Sequence, residues 1–535
     1  MSAGCGEECI DLAGEASKEA AMLKGGEQRV VRIASRPDAA EDTRTRLRVE
    51  LSSIVQLSIP IVITSVLNFV MNVVDLAMVG HLGKEELAAA SLGLAYYNTV
   101  YFPLSGVAMA LDTLFSQAYG AKNYRLYGIW LLTGGISIAF VSVFVSLLLL
   151  AAETVLVSIK MEGELSAKAA MYVTYLVPGM FPNIAFSVVQ KYLQSQGILK
   201  PCVYIALISN VINVLGNYLL IYVFALGLGG APMATSVTRT LQLFAALLFL
   251  RYSTEHSRTW PCRRSMSMLG MEHFNTFIRL GSTGWLMIAL EAWAFDIGQL
   301  LAGYTDHVSL GAHASMQTVC GFTYMSFPLA LSIAVSIRVG HLLGAGDHLQ
   351  AQVAARVTRV DLLIVLGFLT VSCCLLLFQV AARVTILLTL LFMGSLAMTY
   401  LALRHHVGWV FSGDADVVRT FAAITPIAAL FQVFDGLQSA CAGVFRGMGR
   451  NKVVALLNFF GLWVIGQSLG VTLAFFVGTR LGWTGGGGGE GGGGGGGGGN
   501  MTLLETHELA DPPRGIGVYG LWWGLAAGKL SKVRI

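Results

Sequence analysis

Residues 280–303, LGSTGWLMIALEAWAFDIGQLLAG, are long and apolar enough to cross a bilayer, for which about 20 residues suffice. The stretch nevertheless carries two acids, Glu291 and Asp296. A charge near the middle of a membrane costs roughly 2.5–3.5 kcal/mol on insertion scales. Two carboxylates in one span therefore demand a protein-lined or watery cavity, or a proton each. Five residues apart on a helix, they lie about 140° from one another and face adjoining sectors rather than one stripe. Two readings are open: a proton or cation relay, and a buried pair hydrogen-bonded to neighbouring helices. On the first reading, the rest of the chain is the cavity that these two groups serve.

Apolar residues make up 55% of the chain and charged ones 12%, where a soluble domain is about one quarter charged. With a mean hydropathy of +0.66, the chain reads as an all-α polytopic membrane protein. The eight cysteines are scattered without a Cys-x-x-Cys, and the ten histidines show no metal spacing. Neither a disulfide framework nor a zinc site is expected. No Gly-Lys-Ser/Thr loop is present for a nucleotide, which speaks against an ATP-driven pump. No set of nucleophile, base and oxyanion donors is apparent, so an enzyme is not expected, and nothing points to nucleic acid.

Residues 1–50 are polar, mixed in charge and weakly patterned, a disordered cytosolic tail with neither transit nor signal character. Apolar spans follow at about 54–78, 87–111, 126–150, 169–193, 202–224, 228–250, 278–302 and 310–336. After a ninth region come 419–444, 453–479 and a short one from about 515. Basic residues gather in alternate connections: Arg44, Arg46 and Arg48; Lys122 and Arg125; Lys191 and Lys200; Arg251, Arg258, Arg263 and Arg264. The positive-inside rule then puts the tail, the even loops and the middle loop in the cytosol. The expected organisation is an N-terminal six-helix lobe over 51–255, a cytosolic linker over 256–275 and a C-terminal lobe over 276–530. Residues 485–499 are all glycine apart from Glu490 and read as a flexible outer loop.

An internal repeat divides the spans. Leu57-Ser58-Ile59-Pro60 opens a span about sixty residues before Gln117-Ala118-Tyr119-Gly120-Ala121, and Leu280-Gly281-Ser282-Thr283 precedes His341-Leu342-Leu343-Gly344-Ala345 by nearly the same interval. Tyr192–Lys200 similarly matches Val444–Lys452 in position. Six spans per half give two lobes in the same orientation, with a substrate commonly held between them. The offset between halves grows from about 224 to 252 because Gln352–Thr358 recurs as Gln379–Thr385, 27 residues on. Between the copies, Asp361–Phe378 is apolar and long enough to span. An extra crossing would throw Arg446, Arg450 and Lys452 to the outer face, against the charge rule. Either this segment does not cross, or the duplication is an error in the sequence itself, the reading we favour. The last span, Gly515–Leu530, stops at Lys532-Val533-Arg534-Ile535 and reads as short or truncated for a crossing.

Further polar groups lie within spans. Asn68, Asn72 and Asp75 follow i, i+4, i+7 spacing and share one helix face. They are either a proton or sodium site, since a hard cation wants several oxygens, or a polar seam near the outer edge. Asp435 lies deep in the tenth span, where the desolvation argument applies again, and Asp112 near the cytosolic end of the second reads as a structural or gate residue. Asn210, Asn213 and Asn217 form a stripe that reads as interhelical glue rather than a ligand set; Gln190 and Gln194 share a face with the same ambiguity. Trp285, Trp293, Phe295 and Tyr324 either line a site and face a cation or merely pack.

Val79–Gly83 followed by Glu86–Ala89, Gln117–Ala121, Lys191–Gln196, Leu290–Trp293, Arg338–Gly340 with Leu343–Gly346, and Gly443–Gly447 occur in this order. Together they resemble the multidrug and toxic compound extrusion (MATE) family of cation-coupled antiporters. The Lys191–Gln196 and Leu290–Trp293 stretches are similar to the eukaryotic branch in particular. The resemblance implies twelve helices in two pseudo-symmetric six-helix bundles around a central cavity. It also implies export of organic cations or amphipathic metabolites against H+ or Na+, with no other cofactor. It matches Glu291 to the family's acid in the seventh helix, Asp435 to that in the tenth, and Asp75 to an acid of the first helix typical of bacterial members. Asp296 stands where the family usually has Glu. The short twelfth span and the 27-residue insert depart from the pattern. A monomer in contact with lipid, in the plasma or vacuolar membrane, is expected. The alternatives are a lipid-linked flippase of related architecture, which calls for a basic cavity, and a cation channel, which would not support uphill exchange.

Overall fold

The computed structural model describes residues 39–159, 161–254, 256–261, 269–303, 307–345, 381–410, 415–477 and 517–534. The first copy of the duplicated segment, the stretch Asp361–Phe378, most of the tail and the glycine tract lie outside the described residues. The chain divides into a small unit, Met1–Ser52, and the main body, Ser53–Ile535.

The described residues are helical rods. Nine meet the length and hydropathy needed to cross a membrane: Leu51–Gly80, Tyr124–Leu150, Gly163–Gln194, Lys200–Val223, Gly227–Tyr252, Val308–Gly344, Thr385–Val407, Ala415–Gly447 and Asn451–Phe475. Three more rods complete a set of twelve among the described residues. They are Lys84–Ala108 continued by Ala110–Gly120, Met271–Gly303, and Val518–Arg534. We number the twelve first to twelfth in chain order. The helix of the ninth, Ala381–Val407, opens inside the second copy of the duplicated segment.

The rods are apolar outside and polar or small inside. On the third, Ile136, Phe140, Val143, Phe144 and Leu147 are exposed while Thr133, Ser137 and Ser146 are buried. On the fifth, Leu207, Ile208, Val211 and Leu215 are exposed while Ser209, Asn213 and Asn217 are buried. Hydrocarbon around the bundle removes any reason to hide leucine, so association falls to small residues, close packing and interhelical hydrogen bonds. Asp112 of the second rod and Lys191 of the fourth make one such link, with Nζ 2.7 and 2.8 Å from the two carboxylate oxygens. Asp112 is thereby a structural residue pinned within its own lobe.

The two halves meet along equivalent pairs of rods. The second runs against the seventh, with Gly106 on Gly284 and the Trp293 indole N–H donating to the Thr99 carbonyl at 3.3 Å. The first runs against the eighth, where Ile61 packs with Ala330, Ala334 and Ile337 and Phe69 with Phe322. The two repeated motifs then face each other: a Cβ on Gly120 would overlap the His341 backbone, and one on Gly344 the Gln117 backbone. Gln117 Nε2 also donates to the Gly447 carbonyl at 3.0 Å. Replacing Gly106 by Leu is expected to force the second and seventh rods apart at a cost of about 1–3 kcal/mol. A melting curve of the detergent-purified protein checks this, and an unshifted midpoint would show that the seam yields freely.

In the C-terminal half, Gly524 and Gly528 of the twelfth rod interlock with Gly461, Gly466 and Gly470 of the eleventh, and Gly520 lies against the Leu473–Ala474 backbone. Spacing of i, i+4, i+8 puts the three glycines in one row, which lets two backbones approach closely. The eleventh is π-helical over Phe459–Gln467 and Thr472–Val477. It is tied to the seventh by Asn458, Trp463 and Gln467, which donate to the carbonyls of Met287, Leu290 and Ala294.

Candidate functional site

Glu291 and Asp435 converge on one point, and that point is occupied. Lys529 of the twelfth rod, its side chain 0% exposed, bridges Glu291 and Asp435, whose side chains are 14% and 7% exposed. Its Nζ also donates to Gln438 Oε1 at 2.8 Å, which Lys532 reaches at 3.3 Å. Asn458 Nδ2 lies 3.4 Å from the second oxygen of Glu291. The rings of Phe295 and Phe431 stand 5.6 and 5.7 Å from the ammonium. The Tyr324 phenol, half-buried, feels the charges of Glu291, Asp435 and Lys529. Glu291 and Asp435 both pair with the buried Lys529, and such pairing is the condition under which burial of charge is tolerable.

The twelfth rod is short, as its sequence suggests, at 17 residues. Lys532 is buried with Lys529 on one face, three residues on. The acids of the seventh and tenth rods and Gln438 hold Lys529 inside, and Gln438 also holds Lys532.

Asp296 is not part of this cluster. It points toward the N-terminal half, where Thr99 Oγ1 donates to its Oδ2 at 2.9 Å. The pair in the seventh span thus serves two different neighbours, as their angular separation requires. Trp293, on the same side, packs edge-on against Trp285.

Asp75 is the buried acid of the N-terminal half. Asn217 Nδ2 donates to one oxygen at 2.7 Å and Thr235 Oγ1 to the other; Asn213 steadies both donors. The expected amide lining by Asn68 and Asn72 is corrected here. Asn72 is exposed, and Asn68 accepts from Arg239 at 3.1 Å. A shared helix face spans some 60°, and the neighbouring rods cover only the Asp75 edge of it. Asn213 and Asn217, read as glue, are the groups that hold the acid. Each half therefore joins an acid of its first rod to an asparagine of its fifth, Asp75 with Asn217 and Glu291 with Asn458.

Gln190 and Gln194 lie on the fourth rod beside Lys191, half-buried and buried. The neighbouring Tyr192 and Gln196 bond to Thr259 at 2.6 and 2.9 Å and tie down the connection after the sixth rod. No group of three or more His, Cys, Asp or Glu placed to hold a metal occurs among the described residues.

The profile of the MatE family matches residues 60–219, 285–380 and 376–472, more than half of the chain. The chain belongs to the MatE family. The last two matches of this MatE chain overlap at 376–380, where the second copy of the duplicated segment begins. Multidrug and toxin extrusion protein 1 of Xenopus tropicalis is 34% identical over 428 residues, 80% of this chain and 69% of that one. The Homo sapiens protein of the same name is 28% identical over 483 residues, 88% and 77% of the two chains. Among solved structures, the eukaryotic MATE transporter AtDTX14 superposes with a TM-score of 0.74 at 23% identity, covering 91% of this chain and 94% of its own. A Vibrio cholerae MATE transporter gives 0.71 at 14% identity, over 91% and 95%. The all-helical two-bundle fold of this MatE chain is thus the fold of these transporters.

Proposed function

We propose that the chain is a secondary active transporter that exports organic cations or amphipathic metabolites in antiport with protons or sodium ions by alternating access. The observation that carries this reading is the convergence of Glu291 and Asp435 on a single ammonium deep in the bundle. A carboxylate so placed accepts either a proton or a cation, and the one displaces the other. Competition for one site, with access alternating between two faces, is sufficient for antiport. Asp75, amide-held in the opposite lobe, offers a second place for the coupling ion, and Asp296 at the seam between lobes a relay. The names of the relatives, multidrug and toxin extrusion proteins, support the same reading. The carrier works as a monomer in contact with lipid, in the plasma or vacuolar membrane, with its amino-terminal tail in the cytosol. Its activity is transport rather than catalysis.

The test is uptake of a fluorescent organic cation into proteoliposomes whose lumen is acidified, with a sodium gradient in a parallel series. Uptake that follows one of the two gradients and vanishes in Glu291→Gln is the expected result. Uptake indifferent to both gradients and to the substitution would identify a channel and end the antiport reading.

A further inference from the structure

Arg239, in the middle of the sixth rod, enters no ion pair among the described residues. Its Nη1 donates to two neutral carbonyls, Asn68 Oδ1 of the first rod and Gln242 Oε1, each at 3.1 Å. That accounts for both hydrogens of Nη1, and a guanidinium carries five in a rigid fork. Nε and Nη2, an edge that grips a carboxylate bidentately, have no partner among the described residues. Neither atom is sealed inside the protein, and the side chain is half-buried. Tyr97 and Tyr101 of the second rod stack at 5.2 Å and interact with its charge. Asn183 Nδ2 of the fourth rod donates to the Tyr101 hydroxyl at 2.8 Å, which leaves the phenol proton to be given elsewhere. Asp75 also feels the guanidinium charge, but its oxygens are engaged by Asn217 and Thr235. Polar groups of four rods thus gather about Arg239, as they do around a charged residue that faces a protein-lined cavity and not hydrocarbon.

We propose that the open edge of Arg239 is a carboxylate-binding site of the N-terminal lobe, through which the carrier takes substrates that bear a carboxylate. The proposal goes beyond the transport reading above and rests on it only for the ligand being a substrate. Two carboxylate oxygens match Nε and Nη2, and hydrogen bonds between ionised partners are roughly twice as strong as neutral ones. Asn68 and Gln242 accept at Nη1, so they fix the plane of the fork without occupying its open edge. A bound carboxylate supplies the counter-ion that a charge inside a bundle requires. The carrier thereby has a place for a group that the acids of its C-terminal lobe would repel.

The experiment is calorimetric binding of benzoate and its neutral isostere benzamide to the purified wild type, Arg239→Gln and Arg239→Lys. The wild type should bind benzoate about tenfold or more above benzamide, the worth of a charge-assisted pair of bonds. Arg239→Gln should erase that preference, and Arg239→Lys, which keeps the charge but loses the fork, should retain only part of it. Equal benzoate affinity in wild type and Arg239→Gln, or no preference in the wild type, overturns the proposal. Should the variants fail to fold, the wild type decides alone through modification of Arg239 by phenylglyoxal, followed by mass spectrometry. Benzoate should slow that reaction and benzamide should not; no protection by benzoate, or equal protection by chloride at the same ionic strength, overturns the carboxylate site. In proteoliposomes, uptake of a fluorescent xanthene cation with a free carboxylate, taken as a ratio to that of its methyl ester, should fall about tenfold in Arg239→Gln. An unchanged ratio overturns the substrate role. Loss of the transport reading would show separately, as wild-type uptake that follows no gradient while the benzoate preference still holds.

Discussion

Gradient-driven uptake should fall by about two to three orders of magnitude in Glu291→Gln and in Asp435→Asn, and the double variant should lose no more than either single one. Both acids bind the ammonium of Lys529, so each substitution removes one of the two carboxylates that hold it and weakens the attraction for any entering cation. Breaking a buried pair by removing one partner costs about 3–5 kcal/mol, and each 1.4 kcal/mol is tenfold. Groups that act as one unit are strongly non-additive. Initial rates at matched protein incorporation decide the matter. Losses that multiply in the double variant would mean that the two acids serve separate sites.

The second large effect concerns stability. Asp112→Ala should destabilise the N-terminal lobe by about 3–5 kcal/mol, because it leaves the Lys191 ammonium buried without its carboxylate. The side chains are 2% and 13% exposed, and both oxygens of Asp112 are engaged by one nitrogen. Lys191→Met in the Asp112→Ala background should restore most of the loss, since an apolar pair leaves no stranded charge. Thermal melts of the four proteins in detergent close the cycle. A double variant as unstable as Asp112→Ala would place the cost in lost packing instead of lost charge.

Much of this fold could be read from residue order because a bilayer allows few solutions: long apolar stretches become helices, and a repeat of six makes two lobes. The acids were legible for the same reason, each being a charge where hydrocarbon should be. Lys529 meets that criterion equally, standing inside the apolar stretch Gly515–Leu530, yet a lysine near the end of a span reads as an anchor that reaches for water. Only packing reveals that it turns inward. Asn72 fails in the opposite sense. Periodicity places it on the face of Asp75, but which part of that face a neighbour covers depends on where the fifth and sixth rods sit. Asn213 and Asn217 show the same gap: their spacing announces a polar stripe, and nothing local says that an acid from another rod completes it. The second and seventh rods, not among those that qualify by length and hydropathy, join the lobes together with the first and eighth.

The glycine row of the twelfth rod has a mechanical consequence. Gly520, Gly524 and Gly528 recur every four residues, so the rod fits its neighbour only in steps of about 6 Å along its axis. A shift by a single residue would drive Leu521, Leu525 and Lys529 into gaps that admit no side chain at all. The depth of the Lys529 ammonium is therefore set as by a notched rule, not by a sliding scale. Whatever moves that charge must bend its four-carbon stem, and the rod itself stays where the notches hold it.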